Sequence, residues 1–241
     1  LLPLNRLDST QLVAAAERWA GLFGDAPRPH SALVVGGSSA LHRLDPATAR
    51  RLGFEVAAFA ESLGGRLMVI TSPRTGEAAA RALEQGLGPD HNLHRWRPGE
   101  ADNPYLGYLA LADVLVVTGE SESMLSEAVA SGKPLLIYPL PGRRRGLRDL
   151  LAEAVVRRAH TPRLNKRGTV RPQRGMQYRS ARLVDLGLVR PRRDLNLLHR
   201  ALVERGLARM FGQPLPEAPA EPYREAPQVA ARVRAMLGVD R

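Results

Sequence analysis

The sequence predicts an α/β fold: a Rossmann-like parallel sheet flanked by helices, with a helical or irregular basic extension towards the C-terminus. Three observations predict it. Short apolar runs recur along residues 32–35, 66–71, 114–117 and 135–138, and they are continuous rather than alternating, as in strands buried on both faces. Stretches with helical periodicity separate them, the order expected of a sheet covered on both sides. Small polar turns follow the strand ends, where such sheets bind their ligands.

The elements follow in order. Residues 1–30 form a short extended start and a leading amphipathic helix. Asp8 or Ser9 supplies its N-cap, and Leu12, Val13, Ala16, Trp19 and Ala20 form its apolar face. Pro27 and Pro29 end it. A strand at 32–35 enters the turn Gly36-Gly37-Ser38-Ser39, and a helix covers 46–63. A strand at 66–71 precedes a helix over 77–85 that starts after Gly76. Residues 92–96 form a short strand, 105–111 a short helix, 114–117 a strand, 122–130 a helix, and 135–138 the last clear strand. After Pro141 the alternation stops. Residues 148–159 are helical, and 161–180, rich in Arg, Gly and Pro, form an irregular loop. Helices are expected over 181–188 and 194–206, a proline-rich connector over 214–222, and a closing helix over 223–237 with Val229, Val233 and Leu237 on one side. The expected organisation is a linker and leading helix (1–30), an α/β core (31–142), and a basic loop and helical extension of the same domain (143–241).

Composition narrows the function classes. The 241 residues contain no cysteine, which excludes disulfides and thiolate metal sites and fits a reducing compartment. No apolar run approaches the ~20 residues of a membrane helix. The chain opens Leu1-Leu2-Pro3, and this start reads as a fragment boundary or as a sequence lacking its true N-terminus. The net charge of +11 is concentrated: thirteen basic residues and two acids, Asp149 and Glu153, lie between Arg143 and Arg182. That segment suits an anionic membrane surface or a phosphorylated glycolipid acceptor, with an arginine-rich solvated surface as the plainer reading. Nucleic acid is disfavoured, because Tyr178 is the only aromatic there for base stacking.

The most informative stretch runs from Ala112 to Pro139. A buried strand ends in Thr118-Gly119-Glu120-Ser121, and a helix begins with Ser123 and Met124 in its first turn. Free N–H groups and the helix dipole favour an anion there. Glu127, one and a half turns in, either offers a carboxylate to a pair of hydroxyls or is a solvated residue on the flank of the helix. Gly36, Gly37 and Ser38 form either a second phosphate-contacting loop or a tight strand-to-helix turn. Ser121 and Ser123 either touch phosphate or cap the helix. Arg74, with Thr75 beyond a strand end, suits a diphosphate or is one more surface arginine. Trp96 either stacks on a base or fills the core rim. His94 has no evident carboxylate partner in the sequence, which favours a structural role over that of a base. Together these residues point to a nucleotide or nucleotide sugar. No metal or other cofactor is expected, and no residue stands out as catalytic.

These motifs resemble the donor-binding half of GT-B glycosyltransferases. MurG, the N-acetylglucosaminyltransferase of peptidoglycan synthesis, carries a similar pattern of Ala-Asp, apolar run, Gly, a Glu and Gly-x-Pro. A narrower resemblance is to the Elongated-Mitochondria family, named after a plant mitochondrial-fission protein, whose bacterial members are described as glycosyltransferases or nucleotide-sugar epimerases. It is carried by Thr71-Ser72-Pro73-Arg74-Thr75, His94-Arg95-Trp96, Asn103-Pro104-Tyr105-x-Gly107, and Thr118-Gly119-Glu120-Ser121-x-Ser123-Met124-x-Ser126-Glu127. Family members often have a second arginine where this chain has Pro73. The resemblance implies a GT-B C-terminal-type domain that binds nucleotide-diphosphate sugars, with Glu127 on the ribose and the base read near His94 and Trp96. It also implies a cytoplasmic protein, peripheral on the inner face of a bacterial membrane, acting in cell-envelope glycolipid assembly. An N-terminal acceptor domain is expected to be missing, leaving this piece able to bind donor without turning over. A nucleotide-sugar epimerase and a non-catalytic, membrane-associated scaffold are the alternatives.

Overall fold

The computed structural model describes residues 2–237, apart from 6, 90, 144, 145, 191–193, 220 and 224. The chain divides into two compact units, one formed by Leu1–Gly142 with Leu195–Arg241, the other by Arg143–Asp194.

The larger unit is built on six parallel strands: β1 (Ser31–Val34), β2 (Leu67–Ile70), β3 (Asn92–His94), β4 (Val114–Thr118), β5 (Leu135–Tyr138) and β8 (Arg209–Met210). Their order across the sheet is β3-β2-β1-β4-β5-β8, the arrangement of doubly wound dinucleotide-binding folds. Every residue of β1, β2, β4 and β5 is buried, so side chains of alternating direction supply two cores. Ala32, Val34, Met68, Ile70, Leu115, Val117, Leu135 and Ile137 face one way, onto Tyr108, Leu109, Leu125, Ala128 and Leu202. Leu33, Val35, Leu67, Val69, Val116, Leu136 and Tyr138 face the other, onto Ala49, Leu52, Val56, Ala60 and Leu83. The continuous apolar runs in the sequence reflect this double burial.

The helices begin where the caps predict. In α1 (Ser9–Arg18), Asp8 accepts from the Gln11 amide and the Gln11 side chain reaches back, closing a capping box. Its inward face is Leu12, Ala15, Ala16 and Trp19; Val13 and Ala20 point out, a correction to the expected face. α2 (Pro46–Ser62) starts on the Asp45 cap with proline in the first turn. α3 (Glu77–Leu87) follows Gly76, α4 spans Tyr105–Leu111 and α5 spans Glu122–Ala130. Asn103 Oδ1 accepts from the Tyr105 amide and sets the start of α4. α8 (Leu195–Glu204) returns to this unit, and α9 (Glu225–Leu237) ends the described chain.

The smaller unit contains α6 (Leu147–His160), a two-stranded antiparallel hairpin of β6 (Arg163–Leu164) and β7 (Val170–Arg171), and α7 (Met176–Asp185). The irregular loop expected over 161–180 is therefore a hairpin followed by the start of a helix. Asn165 ties the hairpin turn, its Oδ1 accepting from the amides of Arg167 and Thr169 at 2.9 Å each. The loop expected to open at Arg143 includes Arg144 and Arg145, which lie outside the described residues. β8, absent from the sequence reading, is two residues long and carries an exposed arginine, too little for an apolar signature. Among the described residues no helix is long and apolar enough to cross a membrane.

Candidate functional site

The strand order reverses between β1 and β4, and doubly wound sheets bind ligands in the crevice at that point. The loops leaving β1, β2 and β4 meet there. Gly36 donates its amide to Thr118 Oγ1 at 2.8 Å, and Gly37 donates to Glu120 Oε1 at 2.6 Å. A Cβ on Gly37 would stand 2.0 Å from the Arg74 carbonyl oxygen, so these two loops press backbone on backbone and only glycine fits. The hydroxyls of Ser72 and Thr75 both donate to the Gly36 carbonyl at 2.5 Å. Ser38 accepts from the Leu44 amide at 3.0 Å and closes its own loop. Thr71 Oγ1 accepts from the Trp96 amide at 2.9 Å, joining the β3 loop to the same end.

Glu120 is the centre of this network. Its side chain is fully enclosed, and Arg74 Nη2 lies 3.8 Å from its Oε1 while remaining 45% exposed itself. Oε2 is buried without a hydrogen-bond partner. Burial pushes the carboxyl above its ordinary range; hydrogen bonds from the Gly37 and Glu120 amides and from Thr118, with the Arg74 charge, oppose this without cancelling it. Sequence reasoning passed over Glu120, because two of its neighbours, Gly37 and Arg74, come from loops distant in the chain. Gly119 also meets a distant residue. His199 Nε2 lies 2.7 Å from the Gly119 carbonyl, and a Cβ on Gly119 would fall 2.6 Å from His199 Cε1. His42, which bridges to Gly142 across the same end of the sheet, is held below its ordinary pKa by burial and by His199.

Ser121 is the N-cap residue of α5, but its side chain makes no capping bond. The first-turn N–H groups lack the side-chain acceptor that a serine cap ordinarily supplies. Ser123 is exposed and Met124 half-buried in that turn. Farther along α5, Glu127 Oε2 accepts from the Tyr105 hydroxyl of α4. Burial and then the neighbouring carboxylate raise the Tyr105 hydroxyl well above its ordinary range, so it stays a donor. Tyr105 fixes the direction of Glu127, a role the sequence did not reveal. His94 does have a carboxylate partner: Glu100 Oε2 lies 3.0 Å from its Nε2. A cavity of about 590 Å³ along the β3 edge is lined by His94, by Arg18 and Trp19 at the C-terminal end of α1 and by Tyr108 of α4. The predicted residues thus fall into three groups: Gly36, Gly37, Ser38, Arg74, Thr75, Thr118 and Gly119 around the switch point; Ser121 at the cap of α5 with Ser123, Met124 and Glu127 in it; His94 at the end of β3 with Trp96 just beyond. Among the described residues no group of three or more His, Cys, Asp or Glu side chains is arranged to hold a metal ion.

The profile of the mitochondrial fission ELM1 family matches residues 2–185. This chain belongs to that family. A curated family relative, mitochondrial fission protein ELM1 of Arabidopsis thaliana, is 29% identical over 134 residues, covering 56% of this chain and 31% of the relative. The chain thus spans about a third of the length of the relative it matches. Among solved structures, similarity is found to a UDP-GlcNAc 2-epimerase from Neisseria meningitidis bound to UDP-GlcNAc (TM-score 0.39, 13% identity, 75% of this chain and 49% of that one). A UDP-glucosyltransferase from Polygonum tinctorium gives a TM-score of 0.30 at 15% identity, over 75% of this chain and 36% of that one. UGT2 of Phytolacca americana, complexed with UDP-2-fluoro-glucose and pterostilbene, gives 0.29 at 16% identity, over 75% and 35%. Likeness this distant does not transfer a function to the ELM1-family chain.

Proposed function

We propose that this chain is the nucleotide-diphosphate-sugar donor-binding domain of a GT-B glycosyltransferase of the hexosyltransferase type. The observation that carries the reading is the start of α5 at the β1/β4 switch point, without a side-chain cap, with Glu127 held by Tyr105 farther along the same helix. The helix N-terminus would take the diphosphate, with Arg74 adding positive charge beside it. Glu127 would accept from the ribose hydroxyls. The Gly36–Gly37 loop would approach the phosphates, and His94 and Trp96 would border the base. In this reading the leaving diphosphate is stabilised without a metal. The base that activates the acceptor would come from outside this chain, so the isolated chain binds donor and does not turn over. The setting we propose is bacterial cell-envelope glycolipid or lipopolysaccharide assembly, on the cytoplasmic face of the inner membrane.

One observation favours a second reading, that of a non-catalytic scaffold. The Gly37 amide, which a phosphate would use, is already bonded to Glu120. The relative named as a mitochondrial fission protein belongs with this reading.

Calorimetric titration with UDP, GDP, ADP and CMP and their common sugars, on this chain and on Glu127→Ala, separates the two. Saturable binding of one nucleotide, weakened at least tenfold (about 1.4 kcal/mol) in the variant, is expected of the donor domain. No binding by the folded chain would sink it in favour of the scaffold. Release of a rearranged sugar without an acceptor would move the reading to an epimerase.

A further inference from the structure

The smaller unit, Arg143–Asp194, differs from the rest of the chain in charge and in surface. Its sequence holds sixteen basic residues and four acids, a net +12, which leaves the remaining residues at −1 within the overall +11. Among the described residues, ten of the nineteen exposed large apolar side chains also fall here, including Leu147, Leu151, Met176 and Leu188. Charge and exposed apolar surface on one small unit is the combination found on interfacial, lipid-binding segments.

The two properties converge between α6 and α7. A groove of about 720 Å³ runs there, with Leu151, Val155 and Leu183 among its apolar walls. Four arginines, Arg157, Arg158, Arg163 and Arg179, share its lining, and among the described residues no acid does. Its volume falls in the range of small-molecule sites. Gln177 also lines it, with Nε2 donating to the Thr161 carbonyl, while Gln177 Oε1 is buried without a partner. An apolar slot bordered by arginines, with a spare acceptor, matches a ligand that has a hydrocarbon chain at one end and a phosphate and hydroxyls at the other.

We infer that the α6–α7 groove binds a chain of an anionic phospholipid-type molecule, with its phosphate on Arg157, Arg158, Arg163 and Arg179. This deepens the acceptor side of the proposed function by giving the basic segment a defined lipid slot, and its test does not depend on nucleotide binding. Arginine suits it, because the guanidinium holds phosphate oxygens in a bidentate fork.

The test is flotation of the full chain with phosphatidylcholine vesicles, with and without phosphatidylglycerol, at low and at high salt. Binding is expected only with phosphatidylglycerol. Arg157→Gln with Arg179→Gln should weaken it at least tenfold at low salt. Leu183→Asn should weaken it several-fold at both salt concentrations, because insertion of a chain is not screened. Arg157, Arg179 and Leu183 are exposed, so circular dichroism of these variants should match the parent. Three outcomes overturn the inference: equal binding to both vesicles; loss of all binding at high salt with no effect of Leu183→Asn, which means surface charge alone; or tighter binding to a duplex oligonucleotide than to either vesicle. UDP titration of the parent chain keeps the readings apart. Absence of vesicle binding by a parent chain that binds UDP removes the groove proposal alone, and absence of UDP binding by a parent chain that binds phosphatidylglycerol vesicles removes the donor site alone.

Discussion

The sheet unit and the arginine-rich unit satisfy their side chains in opposite ways. In the sheet unit the loop ends bond to one another: Gly36 to Thr118, Gly37 to Glu120, Ser72 and Thr75 to Gly36. In the smaller unit Ala159 and Ser180 are the buried residues of its two helices, and leucines and arginines face outwards. The first is held together by what it buries; the second leaves much of its apolar and charged surface to be covered from outside. A site on the sheet unit is therefore preorganised, whereas one on the smaller unit gains order from its ligand.

The largest expected effect is in hydrogen exchange. Amides of β1, β2 and β4 should exchange near the global unfolding rate, and those of α6 and α7 faster by orders of magnitude. Comparable protection in both units would erase the contrast. Next comes a pair of leucine truncations. Leu115→Ala removes a fully buried side chain from the sheet and should cost about 2–5 kcal/mol in denaturant unfolding. Leu186→Ala removes one that is 61% exposed and should stay within about 0.5 kcal/mol. Similar losses at both positions would mean that the smaller unit has a core of its own.

The smallest effect is a pH dependence. Glu120 is held above its ordinary value of 4.5 in the folded chain, so the folded state keeps a proton that the unfolded chain releases. The stability gained from that proton is complete below the ordinary value and is lost as pH rises through the raised one. Glu120→Gln removes this titration. Denaturation midpoints of parent and variant, measured from about pH 4 to 8, should diverge across that window and then run parallel. Parallel curves throughout would place Glu120 at its ordinary value and remove its burial as a cost.

Much of the sheet unit could be read from residues alone. Val114–Thr118, Glu122–Ala130 and Leu135–Tyr138 lie where apolar runs, cap and Gly-x-Pro break indicated, since local pattern and tertiary burial agree there. The smaller unit was less legible. Its hairpin strands are two residues long and exposed, and α7 starts at Met176, five residues before the expected position, because its first turn carries no apolar repeat by which a helix start is read from sequence. Of the site, the glycines and serines were legible as turn chemistry, but not their partners. Glu120, Tyr105, Glu100 and His199 act through contacts between residues far apart in sequence or across a loop, which no spacing rule reports. Ser121 shows the converse, a residue of capping type in the capping position whose hydroxyl does not cap.

The sheet is completed late. β5 finds its outer neighbour only in Arg209–Met210, with 70 residues between Tyr138 and Arg209. On a ribosome adding ~5–20 residues per second, that leaves the Leu135–Tyr138 edge open for roughly 4 to 14 seconds. During that interval an apolar strand with unpaired backbone groups is available to any other nascent strand. Newly made chains should therefore depend on chaperones until the last part of the sheet unit has emerged.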